Sequence, residues 1–239
     1  MIVKNKKDMK FVKKNFNQVQ HKLLNKVSEA ETYFESLLIN SGLYFRREKG
    51  NYRTKTRWSY FDFYLPYYHL YIEIDGSNHN TDSQKIIDEQ KEKIIRNKQR
   101  RLLRLTNEYV LSMSEINIDE LLELQFKQSA SKRKRGGYIN SRNRYYKLMN
   151  AQRNMGIKDM NEDADFVIDE NQEIWLYDNH IGNYFRFKNI YEAKFSTEIS
   201  VNKIHEMCET KEYKKSSLRR FVFAYTKEDC ELRVLQTYS

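Results

Sequence analysis

The sequence predicts an α/β protein of the α+β kind. It reads as a mixed sheet flanked by helices, then a basic helical linker, then a small C-terminal α+β domain with a helix-turn-helix-like pair. Three observations carry this. Two strand-prone runs, WSYFDFYL and HLYIEID, flank the short link Pro66-Tyr67-Tyr68, and an amphipathic helical stretch and a third run, RLLRLT, follow them. A 32-residue stretch, Lys127 to Lys158, holds ten basic residues and no acidic one. Beyond it, a second set of strand-like and helix-like runs starts near Asp163. The chain therefore divides into a basic arm (1–22), a first domain (23–127), a basic linker (128–160) and a small domain (161–239).

Each element has a local cause. Ser28 with Glu31 three residues on makes a capping box, and Tyr33, Phe34, Leu37, Leu38 and Leu43 supply an apolar face. Gly42 is the expected helix stop. A short strand is expected at Leu43–Arg47, then a hairpin of Trp58–Leu65 and His69–Asp75. In the second hairpin strand, Leu70, Ile72 and Ile74 share the face expected to meet a core. A helix from about Asp82 to Gln99 should bury Ile86, Ile87, Ile94 and Ile95. Arg101–Thr106 arrives after that helical crossover, so it should run parallel to a core strand. A closing helix at Ser114–Phe126 should turn Leu121, Leu122, Leu124 and Phe126 inward. In the small domain, DFVID and EIWLYD read as strands around Glu170-Asn171, two short helices meet around Ser196–Ser200, and RRFVFAY reads as the last strand.

Composition narrows the function. The chain has 239 residues, with 43 Lys+Arg against 33 Asp+Glu, for a net charge of +10. Removing the ten basic residues of the Lys127–Lys158 stretch leaves 33 against 33, so the whole excess sits there. A localised cationic strip suits a polyanion, because each cation on a phosphate releases condensed counterions. Lys132, Arg133, Lys134, Arg135, Arg142 and Arg144 are its candidate contacts. Tyr138, Tyr145 and Tyr146 interleave with them, as stacking beside phosphate contacts requires. Cys208 and Cys230 lack the spacing of a disulfide scaffold or zinc site. Nothing in the sequence resembles a membrane span or a secretion signal, so a reducing, cytoplasmic setting is expected.

The candidate chemistry lies in the hairpin. Hydrolysing a phosphodiester calls for a cation that activates water and neutralises charge, and Mg2+ or Mn2+ takes hard oxygen ligands. Asp62 and Glu73 occupy neighbouring strands joined by a short link, so their carboxylates can converge. Glu73 and Asp75, two residues apart, share a face opposite Leu70, Ile72 and Ile74. His79, on the loop after Asp75-Gly76, can act as general base or acid.

The order Glu31, FRRE at Phe45–Glu48, DFYLP at Asp62–Pro66 and LYIEIDGSNH at Leu70–His79 resembles the very-short-patch-repair-like nucleases of the PD-(D/E)xK superfamily. Asp88, Lys91 and LLRLTN at Leu102–Asn107 extend the resemblance, which covers about residues 28–112. It implies a restriction-endonuclease-like fold with Asp62 as central metal ligand, Glu73 as the second, and Glu31 and His79 assisting. Asp75 stands where the wider superfamily places Lys; a second metal ligand or a contact to the loop are its two readings. IYEAKFSTEISVNKIHEMCE followed by RRFVFAY is similar to nuclease-associated modular DNA-binding domains. It implies a recognition helix opening at Ser200, with Asn202 and Lys203 facing DNA, although Glu198 replaces the usual turn glycine. Arg46 and Arg47 are further backbone contacts, or local partners of acids such as Glu48.

The layout resembles phage homing endonucleases: a sequence-directed, Mg2+-dependent cut in double-stranded DNA, with a homodimer or two sequential nicks where both strands are cut. A mismatch-nicking repair endonuclease and a non-catalytic DNA-binding protein that keeps the nuclease fold are the alternatives.

Overall fold

The structure is a computed structural model. It describes residues 27–52, 58–76, 82–97, 100–131, 142–151, 166, 168–169, 171–210 and 220–238. The arm at 1–22, His79 and Lys132–Arg135 lie outside the described residues.

The chain divides into two units, and the division falls inside a helix. One unit runs to Asn40 and adds Arg46–Tyr64 and His69–Leu121. The other holds Ser41–Phe45, Leu65–Tyr68 and Leu122–Ser239. One division thus falls after Leu121, within the closing helix.

In the first unit, helix α1 (Glu29–Asn40) starts where the capping box predicts. The Ser28 hydroxyl donates to Glu31 Oε1 at 3.0 Å, and the Glu31 amide donates back to the Ser28 hydroxyl at 3.1 Å. Gly42, at φ 66°, takes the left-handed conformation that ends the helix without Cβ strain. Strand β1 (Arg46–Tyr52) begins later than the expected Leu43. Strands β2 (Trp58–Leu65), β3 (Leu70–Asp75) and β4 (Arg101–Thr106) fall where expected, and helix α2 (Asp82–Asn97) joins the last two.

The sheet order is β1-β2-β3-β4. β1 and β2 are antiparallel, while β3 and β4 are parallel, with Glu73 opposite Arg104 and Asp75 opposite Thr106. The link from β2 to β3 is so short that only antiparallel neighbours can use it. His69, at φ 50°, completes that turn.

β3 is the central finding of the sheet. Leu70 through Ile74 are all buried, not only the alternate apolar set. A strand with neighbours on both sides and cover on both faces has no solvated side for Glu73 to occupy. Tyr64 stacks on Tyr71 at 4.2 Å between ring centroids, Phe61 sits 4.8 Å from Tyr71, and Ile95 of α2 closes this cluster. Phe34 of α1 meets Phe63 edge-on at 5.2 Å.

Two helical expectations need correction. Ile95 is buried, but Ile86 is 57% exposed. Their separation of nine positions is two and a half turns at about 3.6 residues per turn, so they face opposite ways. The stripe nearest Ile95 contains Asp88 and Lys91. A further short helix, α3 (Asn107–Ser112), also precedes the expected closing helix, which runs as α4 (Ile118–Ser131) rather than Ser114–Phe126. Thr106 caps α3 by accepting from the Tyr109 amide at 3.2 Å. α4 turns Leu121, Leu122, Gln125 and Phe126 inward, whereas Leu124 is half-buried.

In the second unit, helix α5 (142–151) packs through Tyr145 and Met149, both buried. Tyr145 lies 5.6 Å from Phe126 of α4, edge-on. The small sheet has the order β6-β5-β7, with β5 Ile174–Asp178, β6 Asn183–Phe187 and β7 Phe221–Ala224, all antiparallel. The partner of EIWLYD is therefore NYFRF, not DFVID, whose described residues form no strand. Helices α6 (Ile190–Thr197) and α7 (Val201–Glu209) follow, and helix α8 (Lys227–Tyr238) closes the chain after RRFVFAY. Arg233, only 8% exposed, donates to Met207 O at 2.7 Å and Cys208 O at 2.6 Å. Its guanidinium thereby satisfies carbonyls at the end of α7. Among the described residues no helix is long and apolar enough to cross a membrane.

Candidate functional site

Asp62 sits in the middle of β2 and reaches across to β3. Its Oδ2 accepts from the Ile74 amide at 2.8 Å, so a strand backbone donor is spent on a side-chain carboxylate. That bond holds the carboxylate beside Glu73. Burial pushes the Asp62 carboxyl up to about 7. The Ile74 amide opposes this shift, the charges of Glu31 and Glu73 add to it, and Lys91 partly relieves it. Three of the predicted acids therefore act on one another electrostatically.

Glu73 is 3% exposed, a burial that an isolated carboxylate does not tolerate. Two cations meet it. The Lys91 ammonium of α2 donates to Oε1. Arg104 of β4 brings Nη2 to 2.8 Å from Oε2, without the alignment of a hydrogen bond. Arg104 also grips Asp75 through both carboxylate oxygens, at 3.0 and 3.1 Å, and lies 3.1 Å from Asp88. Burial alone would lower the Arg104 pKa, but Glu73, Asp75 and Asp88 raise it overall. Asp75 is thus a partner of Arg104 on the neighbouring strand. The Lys91 ammonium also lies 5.4 Å from the centre of the Phe61 ring.

Glu31 has two structural partners. Its Oε1 serves the capping box, and its Oε2 lies 3.5 Å from Arg47. Arg47 pairs as well with Glu35 and sits 5.6 Å over the Phe63 ring. Its local acid partners are these two, reached across from α1; the Glu48 side chain is outside the described set. Burial raises the Glu35 carboxyl, Arg47 opposes that, and Glu31 reinforces it. Arg46 is half-buried at the start of β1.

Lys91, Arg104 and Asp88 were legible only in part. Lys91 and Asp88 belong to the motif order, yet both fall amid an apolar helix stripe, a signal that they point at the sheet. Arg104 stands opposite Glu73 once LYIEID and RLLRLT are aligned in parallel, a pairing that marks it as a charge partner.

Among the described residues no three His, Cys, Asp or Glu side chains converge as a metal cage. The donor set is instead a pair, Asp62 and Glu73, with Glu31 nearby. That set fits Mg2+ or Mn2+, which bind through one or two carboxylates and retain waters. An Asp62 carboxyl raised by burial and by neighbouring acids, beside a buried Glu73 Oε2 lacking a hydrogen bond, is chemically suited to a hard dication.

The candidate DNA contacts fall into two groups. Arg142 is tied down: its Nε lies 2.9 Å from Glu123, and its guanidinium sits 5.7 Å over Tyr146. Arg144 and Lys147 are exposed on α5. In the small unit, Ser200 caps α7 by accepting from the Lys203 amide at 3.4 Å. Asn202 and Lys203 are exposed there, and the Lys203 ammonium pairs with Glu206 at 2.7 Å. The tight turn before α7 forms despite its missing glycine: Glu198 itself adopts φ 60°. Both cysteines are free and buried, with thiols pushed up to about 12 by burial, so neither is a nucleophile.

No protein-family model, curated protein or solved structure matches this chain.

Proposed function

We propose that this chain is a Mg2+-dependent DNA endonuclease, sequence-directed in the manner of homing endonucleases, with a PD-(D/E)xK-type core. The observation that carries the reading is the Asp62–Glu73 pair. Two carboxylates on adjacent strands are held in a buried, charge-coupled arrangement that favours a dication, in a chain that also carries a stretch rich in phosphate-binding cations at Lys127–Lys158. A DNA-binding surface alone has no use for clustered acids, which repel phosphate.

Asp62 and Glu73 would hold the cation, and Mn2+ fits the same oxygens. When bound, it supplies the charge that lowers the pKa of water and offsets the charge of the phosphorane. The Ile74 amide orients Asp62. Lys91 and Arg104 orient Glu73, and Arg104 holds Asp75 to the side. Glu31 contributes field and helix capping together. His79, four residues after β3 in the sequence, would take or give a proton at water or leaving oxygen. Arg144, with Lys132–Arg135, would carry phosphate contacts, and Asn202 and Lys203 would face DNA from the second helix of the small unit.

A second reading is a DNA-binding protein whose acids form a structural ion network. The saturation of Glu73 by Lys91 and Arg104 favours it. One experiment separates the two. Asp62→Ala should abolish Mg2+-dependent cleavage of a random-sequence duplex pool while binding stays equal or tightens. Cleavage at the wild-type rate in that variant would overturn the proposal.

A further inference from the structure

We infer that the Lys91 ammonium is a built-in occupant of the cation site, neutralising Glu73 when no dication is bound and competing with one for it. The inference rests on the reading of Asp62 and Glu73 as the metal pair.

Glu73 is buried and must be neutralised in every state of the protein. Its two cations differ in how firmly they are held. Arg104 is anchored by three carboxylates, Glu73, Asp75 and Asp88, from one strand and a helix. A planar guanidinium fixed on that many partners does not leave without exposing several charges. Among the described residues the Lys91 ammonium has one ion-pair partner, Glu73. It is a point charge on a flexible stem, its side chain is 19% exposed, and the Phe61 ring supports it from one side. It therefore has both a path to solvent and little to lose on departing.

Lys91 also sits within the field of Asp62. A dication held by Asp62 and Glu73 would meet a like charge at Glu73 Oε1 and must displace it. The apo protein thus keeps its buried acids neutralised, and metal affinity is set below what two bare carboxylates would give. Metal entry also sets free an ammonium beside the site.

The test is metal binding without DNA or turnover. Mn2+ titration of the full chain, followed by electron paramagnetic resonance, is compared for wild type, Lys91→Gln, Lys91→Arg and Asp62→Asn. Lys91→Gln should bind Mn2+ at least about tenfold more tightly, because a unit positive charge next to the site is gone. Lys91→Arg should stay near wild type. Asp62→Asn should bind more weakly. Lys91→Gln that is folded by circular dichroism and binds Mn2+ no more tightly than wild type overturns the inference and leaves the endonuclease reading standing. Asp62→Asn that binds as well as wild type overturns the metal reading itself. A measurement on the unaltered chain covers any folding defect: acetylation of Lys91, mapped by mass spectrometry, should accelerate on Mn2+ addition, and an unchanged rate counts against displacement.

Discussion

Asp62 is a carboxyl whose surroundings favour its protonated form. Burial lifts it from an ordinary value of 3.8 to about 7, so the folded chain holds this proton to higher pH than the unfolded chain does. The stability it contributes is complete below about pH 4 and drains away as pH rises through 7, because the unfolded state releases the proton first. Asp62→Asn should remove that slope. Urea unfolding at about pH 5 and pH 8, without metal, should show the wild type losing on the order of a few kcal/mol more than the variant. Equal losses would mean that Asp62 titrates as an ordinary surface acid. Asp178 is a buried acid with several hydrogen-bond donors around it. It is fully buried, yet Tyr44 donates to it at 2.9 Å, the His180 amide at 3.0 Å and Arg220 Nη2 at 3.0 Å. Asp178→Ala strips the Arg220 guanidinium of its partner and should destabilise the second unit by about 3–5 kcal/mol in thermal or urea unfolding.

At the scale of elements, the turn between α6 and α7 is where sequence and geometry pull apart. Its αL position holds Glu198, a side chain that dislikes φ 60°. The turn forms regardless because both flanking helices are fixed by other means. Asn189 caps α6 by accepting from the Glu192 amide at 3.1 Å, Ser200 caps α7, and Ile190, Ala193, Val201 and Ile204 are buried beneath them. Glu198→Gly should therefore stabilise the protein by about 1 kcal/mol, read as a rise in unfolding midpoint. A fall would mean that the Glu198 side chain supports the turn. The capping box of α1 carries a comparable stake. Ser28→Ala frees Glu31 from its hydroxyl partner and should cost about 1 kcal/mol.

Across the whole molecule, the candidate metal-binding acids and the net positive charge fall in different parts of the sequence. The acids with chemical potential lie in the first unit, on β2, β3 and α1, whereas the net charge lies between 127 and 158. In the proposed reading, affinity and chemistry would thus fall to different stretches of chain. Replacing Lys132–Arg135 with neutral residues should weaken duplex binding and lower the log–log salt slope by about 0.9 for each phosphate no longer neutralised. The cleavage rate at saturating DNA should persist. An unaltered slope would return those four residues to the role of linker. Under the proposed endonuclease reading, one Asp62–Glu73 pair would serve one phosphodiester, so cutting both strands would require a second copy or a second binding event.

The sequence by itself determined the hairpin, the α2 crossover, the parallel pairing of β3 with β4 and the capping box at Ser28, because each follows from periodicity or from contacts within a few residues. It also brought Asp62 and Glu73 onto neighbouring strands. Only the tertiary structure decided how they are neutralised. That β3 is covered on both faces, that Lys91 rather than Ile86 turns toward the sheet, and that Arg104 ties Glu73, Asp75 and Asp88 together are outcomes of packing between elements far apart in the chain. A local pattern shows which face of a strand or helix is apolar. It does not show that both faces are covered, nor which cation a buried carboxylate meets, since that partner comes from a different element placed by the core.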